Sequence, residues 1–132
     1  HYVPELSRRA RGFATWAIIR HLGRAGLTAM VERHCAVASR MAELLRAEPG
    51  IEVLNDVVLN QLIVRFGDDD DARTKQVIAR IQKDGECFAG GALWRGQQVM
   101  RLSVIGWETT IAEGERAAQA IIRAWRNVHQ SG

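Results

Sequence analysis

The segment VMRLSVIGWETT, Val99 to Thr110, constrains this chain more than any other. Met100, Leu102 and Val104 fall on one side of a two-residue period, and Arg101 and Ser103 fall on the other. Such alternation is a strand with one face toward a core. Gly106 breaks it, and Thr110 with Glu113 then makes the Thr-x-x-Glu capping box that opens a helix. That helix is predicted to run to about Asn127, with Ala117 or Ala118, Ile121, Ile122 and Trp125 as its apolar stripe. A strand with one dry face, followed by an amphipathic helix, calls for a sheet with helices laid on one side.

The remainder of the chain supplies the other elements. Pro4 marks a non-helical lead-in. Ser7 is the predicted N-cap of a helix ending near His21, with Phe13, Trp16, Ala17 and Ile19 or Arg20 at its middle. Gly23 and Gly26 break it. Leu27, Met30, Val31, Cys35, Ala38, Met41 and Leu45 then recur at spacings of three and four, which predicts a long helix over 27–47 that Pro49-Gly50 ends. Two strands follow, Ile51 to Asn55 and Val57 to Phe66, with little more than Asp56 between them and so a tight connection. Arg65 stands to Val64 and Phe66 as Arg101 does to its own neighbours.

A helix over 70–83 has an acidic start that complements its dipole, and Val77, Ile78 and Ile81 form its buried face. Asp84-Gly85 is a turn, and strands within 86–94 and 97–105 bracket Arg95-Gly96 as a hairpin. Gly90-Gly91 inside the first of these predicts a bulge or a close backbone approach. Helices, strand pair, helix, strand pair, helix: this order predicts an α+β fold, an antiparallel sheet of about four strands with helices packed on one face.

At 132 residues, with 47% apolar and 25% charged side chains, the chain has the size and make-up of one ordinary globular domain. No stretch approaches the ~18 apolar residues of a membrane span, and no signal peptide opens the chain. A cytoplasmic protein with no membrane partner is expected. The first residue is His1 rather than Met, so the chain is read as an excised piece. Cys35 and Cys87, with no histidine at ligand spacing, are expected to be buried free thiols, and no metal site is expected.

The net charge is +3, and Lys75 and Lys83 are the only lysines, so arginine supplies the rest of the 18 basic residues. These are dispersed, apart from Arg8, Arg9 and Arg11, and an acidic run from Asp68 to Asp71 interrupts them. Dispersed charge reads as solvated surface, and no nucleic-acid partner is expected; those three arginines are the footing of a weaker nucleic-acid reading.

No self-contained active site emerges. There is no G-x-S-x-G, no carboxylate pair in an apolar setting, and the paired glycines sit between strands rather than at a strand–helix junction. Lys75 and Lys83 lie on the polar side of their helix, whereas a Schiff-base lysine needs a desolvated pocket. Arg101 remains. It is either an ordinary solvated arginine on a half-open sheet or a guanidinium aimed at a carboxylate, a phosphate or another domain. The residues alone leave both open. They leave open equally a free-standing α+β module that binds a small ligand or pairs through its sheet.

The segment Glu5 to Leu54 resembles the region downstream of the cofactor lysine in pyridoxal-phosphate-dependent group II amino-acid decarboxylases, a family that includes the aromatic-L-amino-acid decarboxylases. Arg8-Arg9, Arg11, Trp16, Arg20, Gly23 and Gly26 carry the match. VMRLSVIGWETT resembles the family's last strand, with its arginine before alternating apolar residues and a threonine opening the terminal helix. The resemblance spans essentially the whole chain. It implies the small C-terminal domain of a fold-type-I enzyme, residues 1–132, made of a leading helical segment 1–26 and an α+β core 27–132.

It implies further that the parent is a decarboxylase using pyridoxal 5′-phosphate (PLP), a homodimer acting on an amino acid. The cofactor lysine and phosphate-binding groups would lie in its own N-terminal, large domain. No cofactor is then expected on this chain, and no catalytic residue within it. Arg101 matches the strand arginine that approaches the substrate side of the cleft, and Arg8 or Arg9 would sit near the domain junction. No role is carried onto Tyr2. The resemblance leaves open which amino acid is the substrate, and whether oxidative deamination has replaced plain decarboxylation.

Overall fold

A computed structural model describes residues 10–67 and 71–130. The elements are α1 (Arg11–Arg46), β1 (Ile51–Val53), β2 (Gln61–Phe66), α2 (Asp71–Asp84), β3 (Gly90–Trp94), β4 (Gln97–Ser103) and α3 (Ile111–Gln130). The strands make one sheet in the order β1-β2-β4-β3, antiparallel at every pairing. One face carries the core. Leu62, Val64 and Phe66 of β2 and Met100 and Leu102 of β4 pack with Val37, Met41 and Leu45 of α1, Val77, Ile78 and Ile81 of α2, and Ile121, Ile122 and Trp125 of α3. The α+β arrangement with helices on one face is therefore the one expected.

The predicted break between two N-terminal helices shrinks to a kink. α1 runs through it, with Gly23 at φ 62° and ψ −173°, a conformation essentially restricted to glycine. The Ser7 cap lies outside the described residues, and Ala10 at the N-cap makes no side-chain cap bond. At the other end Gly50 has φ 80°, and a Cβ there would meet Trp125 Cζ2 at 2.4 Å. Trp125 Nε1 donates to Pro49 O at 2.9 Å, so α3 is seated directly on the end of α1.

The β1–β2 connection is longer than expected, covering 54–60 instead of little more than Asp56. The reason is Asn55. Its Oδ1 accepts from Ile63 N at 2.8 Å and its Nδ2 donates to Gln61 O at 3.1 Å, so a side chain replaces ladder bonds and residues 57–60 leave the sheet. β3 also starts late, at Gly90. No bulge occurs there: the register is unbroken from Gly90↔Arg101 to Trp94↔Gln97. The close approach does occur, since a Cβ on Gly91 would lie 3.1 Å from Gln98 Nε2 and 3.7 Å from Ile78 Cδ1. Arg95 and Gly96 both have positive φ, 50° and 81°, which gives the tight primed turn of a two-residue hairpin.

The capping box of α3 forms: Glu113 N donates to Thr110 Oγ1 at 3.3 Å, and Thr110 N donates to Glu113 Oε2 at 2.8 Å. One turn on, Gly114 lets α3 approach α1, where a Cβ would stand 2.6 Å from Val37 Cγ1. Cys35 and Cys87 are free, as expected, but half-buried rather than buried. Burial pushes the Cys87 thiol up, and the neighbouring Glu86 charge adds to this. Among the described residues no helix is long and apolar enough to cross a membrane.

Candidate functional site

The two strand arginines share the sheet face opposite the helices, and they differ. Arg65 is buried, with Nη2 3.2 Å from Asp71 Oδ1, which also accepts from Gln98 N at 3.0 Å. The expectation that Arg65 parallels Arg101 on an open face is corrected: Asp71, at the start of α2, folds back and turns Arg65 into a structural ion pair. Arg101 is exposed, between Ile63 on β2 and Gly90 on β3. Gly90 leaves open space where a side chain would stand. Among the described residues no hydrogen bond or ion pair involves the Arg101 guanidinium. The outer face is thus closed over Ile63, Arg65 and Val99 and open at Arg101 and Ser103.

The end of β4 is held from two sides. Val104 N donates to Asn60 O and Asn60 Nδ2 to Val104 O, both at 2.9 Å, on the β2 side. From α1, His34 Nε2 lies 2.8 Å from Gly106 O, and Arg33 Nη2 donates to Trp107 O. A carbonyl oxygen accepts only, so His34 carries its hydrogen on Nε2. Sequence pattern alone does not single out Asn60, His34 or Arg33 as site residues. His34 had a signal: it lies one turn before Val37 and Ala38 on the buried stripe of α1. Arg8 and Arg9 lie outside the described residues.

One cavity adjoins this region and another lies apart from it. One of about 200 Å³ opens beside the end of β4, lined by Cys87, Phe88, Leu102, Val104, Gly106 and Thr109 among others. It is smaller than the roughly 300–1,000 Å³ typical of ligand pockets. The other, about 330 Å³ between α2 and α3, is lined by Arg80, Asp84, Glu86 and Arg123, and these charges pair with one another. Among the described residues no group of three His, Cys, Asp or Glu side chains could hold a metal.

No family model matches the chain. It is 23% identical over 128 residues to 3,4-dihydroxyphenylacetaldehyde synthase of Aedes aegypti, covering 97% of this chain and 23% of that protein. It is 26% identical over 131 residues to histidine decarboxylase of Mus musculus, covering 99% of this chain and 19% of that one. The chain therefore spans about a fifth to a quarter of these relatives. Among solved structures, Oryza sativa TDC with PLP and tryptamine superimposes at a TM-score of 0.79 and 20% identity, over 93% of this chain and 28% of that chain. Catharanthus roseus tryptophan decarboxylase in complex with L-tryptophan does so at 0.76 and 17%, over 92% and 26%.

The fold is that of the small C-terminal domain of PLP-dependent group II decarboxylases. The fit of PLP can be tested on the described residues. PLP enzymes hold the cofactor through a lysine Schiff base and a partner for the pyridinium nitrogen. Lys75 and Lys83 are both exposed on α2, and neither lines either cavity. The described residues do not fit PLP. What the small domain presents instead is an open guanidinium on a strand end fixed from both sides.

Proposed function

We propose that these residues are the C-terminal portion of a cytoplasmic, PLP-dependent amino-acid decarboxylase, a homodimer in which this domain walls the substrate cleft and is inactive alone. The cofactor and its lysine belong to the large domain of the parent. Within 1–132, the leading segment 1–26 joins the large domain and 27–132 forms the core. Arg101 offers its guanidinium to a carboxylate of the amino-acid substrate, since a planar fork suits that partner. Arg8 or Arg9 serves the junction between domains.

One observation carries the reading: from Arg11 to Arg33 no residue of α1 is buried, although Phe13 is 70% exposed and Trp16 56%. A helical stretch with large bare apolar side chains marks a surface that another body covers. The small share of the relatives' length spanned by this chain supports that body being the large domain of the same enzyme.

The test is to express the longer reading frame that contains this segment, load it with PLP and measure carbon dioxide release from a panel of L-amino acids. The expected result is stoichiometric PLP and turnover in the longer protein, and no PLP on the 132 residues alone. A stoichiometric, borohydride-reducible PLP adduct at Lys75 or Lys83 overturns the reading. So does a longer protein without PLP, which favours a free-standing module. In the longer enzyme, Arg101→Ala should lower turnover more than stability; equal activity returns Arg101 to the solvated surface.

A further inference from the structure

We propose that His34, assisted by Arg33, is a positioning residue that fixes the cleft-side end of β4; the inference rests on the reading of Arg101 as part of the cleft. The turn after β4 closes with Thr109 N donating to Gly106 O at 3.0 Å, and His34 Nε2 adds a second bond to the same oxygen at 2.8 Å. Arg33 takes the next carbonyl, that of Trp107. Consecutive helix residues project about 100° apart, so the pair straddles the turn. The helix that makes this grip lies 72 to 74 residues away in sequence.

The consequence falls on the open face. Beyond Ser103 the strand has no ladder partner among the described residues, only the two bonds with Asn60 outside the ladder, and Gly106 brings extra backbone freedom. Arg101, Ser103 and Ile105 alternate on that face, and their placement depends on where the turn is held. His34 is the principal anchor. It is only 7% exposed, whereas Arg33 leaves its Nε buried without a hydrogen-bond partner among the described residues. Nothing about either residue requires contact with substrate. Each acts through the backbone that carries Arg101.

The experiment has two arms. In the unmodified 132-residue chain, nitrogen-15 shifts of the His34 ring should report the Nε2–H tautomer. His34→Gln, which keeps an N–H donor, should retain slow exchange of the Thr109 amide. In the PLP-loaded longer enzyme, His34→Ala should raise KM about tenfold, the effect of one lost hydrogen bond, with kcat within about twofold. His34→Gln should recover most of that loss. An Nδ1–H tautomer, a Gln variant as damaged as Ala, or a lowered Tm with unchanged KM overturns the proposal. If His34→Ala fails to fold, Arg33→Ala and His34→Gln decide by the same KM readout. An inactive wild-type longer enzyme sinks the decarboxylase reading instead, and the ring tautomer and amide exchange still decide the grip on the turn.

Discussion

The two halves of α1 are built from the same kind of apolar stripe and meet opposite fates. From His34 onward the helix buries His34, Val37, Ala38, Met41, Ala42 and Leu45. Before it, Phe13, Trp16, Ile18, Ile19 and Val31 remain half or more exposed, or nearly so. Hydrophobicity does not separate them. A neighbour does: α3 packs on the second half, where Gly114 lets it come close to Val37 and Met41. The first half has no such partner within the described residues, and the Gly23 kink aims it away from the axis of the second. One helix is thus core at one end and uncovered at the other.

The largest effect that could break this comparison is a pair of truncations. Leu45→Ala should cost about 2–5 kcal/mol in urea unfolding, since Leu45 is fully buried. Phe13→Ala should stay within about 0.5 kcal/mol in the same chain. A Phe13 variant that loses more than this would mean the first half is packed after all. Next comes the α1–α3 contact. Gly114→Ala places a methyl against Val37, and overpacking of about 1–3 kcal/mol should exceed the ~1 kcal/mol gained from helix propensity. Val37→Ala in the same chain should recover part of that loss; simple additivity would show that the two helices yield there.

A smaller effect is set by pH. Arg126 binds Glu48 with two hydrogen bonds of 2.7 Å, and this holds the Glu48 carboxyl below its ordinary range. Backbone and hydroxyl bonds from Thr110 do the same for Glu113. A carboxyl depressed in the folded state takes its proton first in the unfolded chain. Its stabilisation is therefore complete above the ordinary glutamate range, about 4 to 5, and is lost as pH falls through that range toward the depressed values. The urea midpoint should fall with acid across this window, and Glu48→Gln should flatten the slope. Smallest of all, Gly23→Ala should straighten α1 and raise its helical circular dichroism while changing the unfolding free energy by no more than ~0.5 kcal/mol, because no residue of the first half is buried. In the longer enzyme proposed above, the same change should impair PLP loading, and that contrast would sharpen the proposed interface.

Much of the fold is legible in the sequence alone. The hairpin at Arg95-Gly96, the capping box at Thr110 and the buried faces of α2 and α3 are local, written within a few residues of one another. The late start of β2 was not legible, because it depends on Asn55 reaching a backbone group eight residues on. Nor was the difference between Arg65 and Arg101. Both occupy the same kind of position on a strand, and only Asp71 folding back over the sheet separates them. Of the candidate site, Arg101 and its open face were legible by alternation, while the grip of His34 on Gly106 was not.

By itself, then, the sequence determined the order of the elements, which side of most of them faces a core, and how the Arg95-Gly96 hairpin and the start of α3 are made. Those choices follow from backbone geometry and from the water-avoidance of side chains two to four positions apart. The tertiary structure alone decided which of two equivalent arginines stays open, which histidine holds the strand beneath it, and which half of a long helix lacks a cover. His34 reaches a carbonyl 72 residues on, and Asp71, though only six residues from Arg65, comes over the strand only because α2 turns back on the sheet; short-range periodicity carries no record of such meetings.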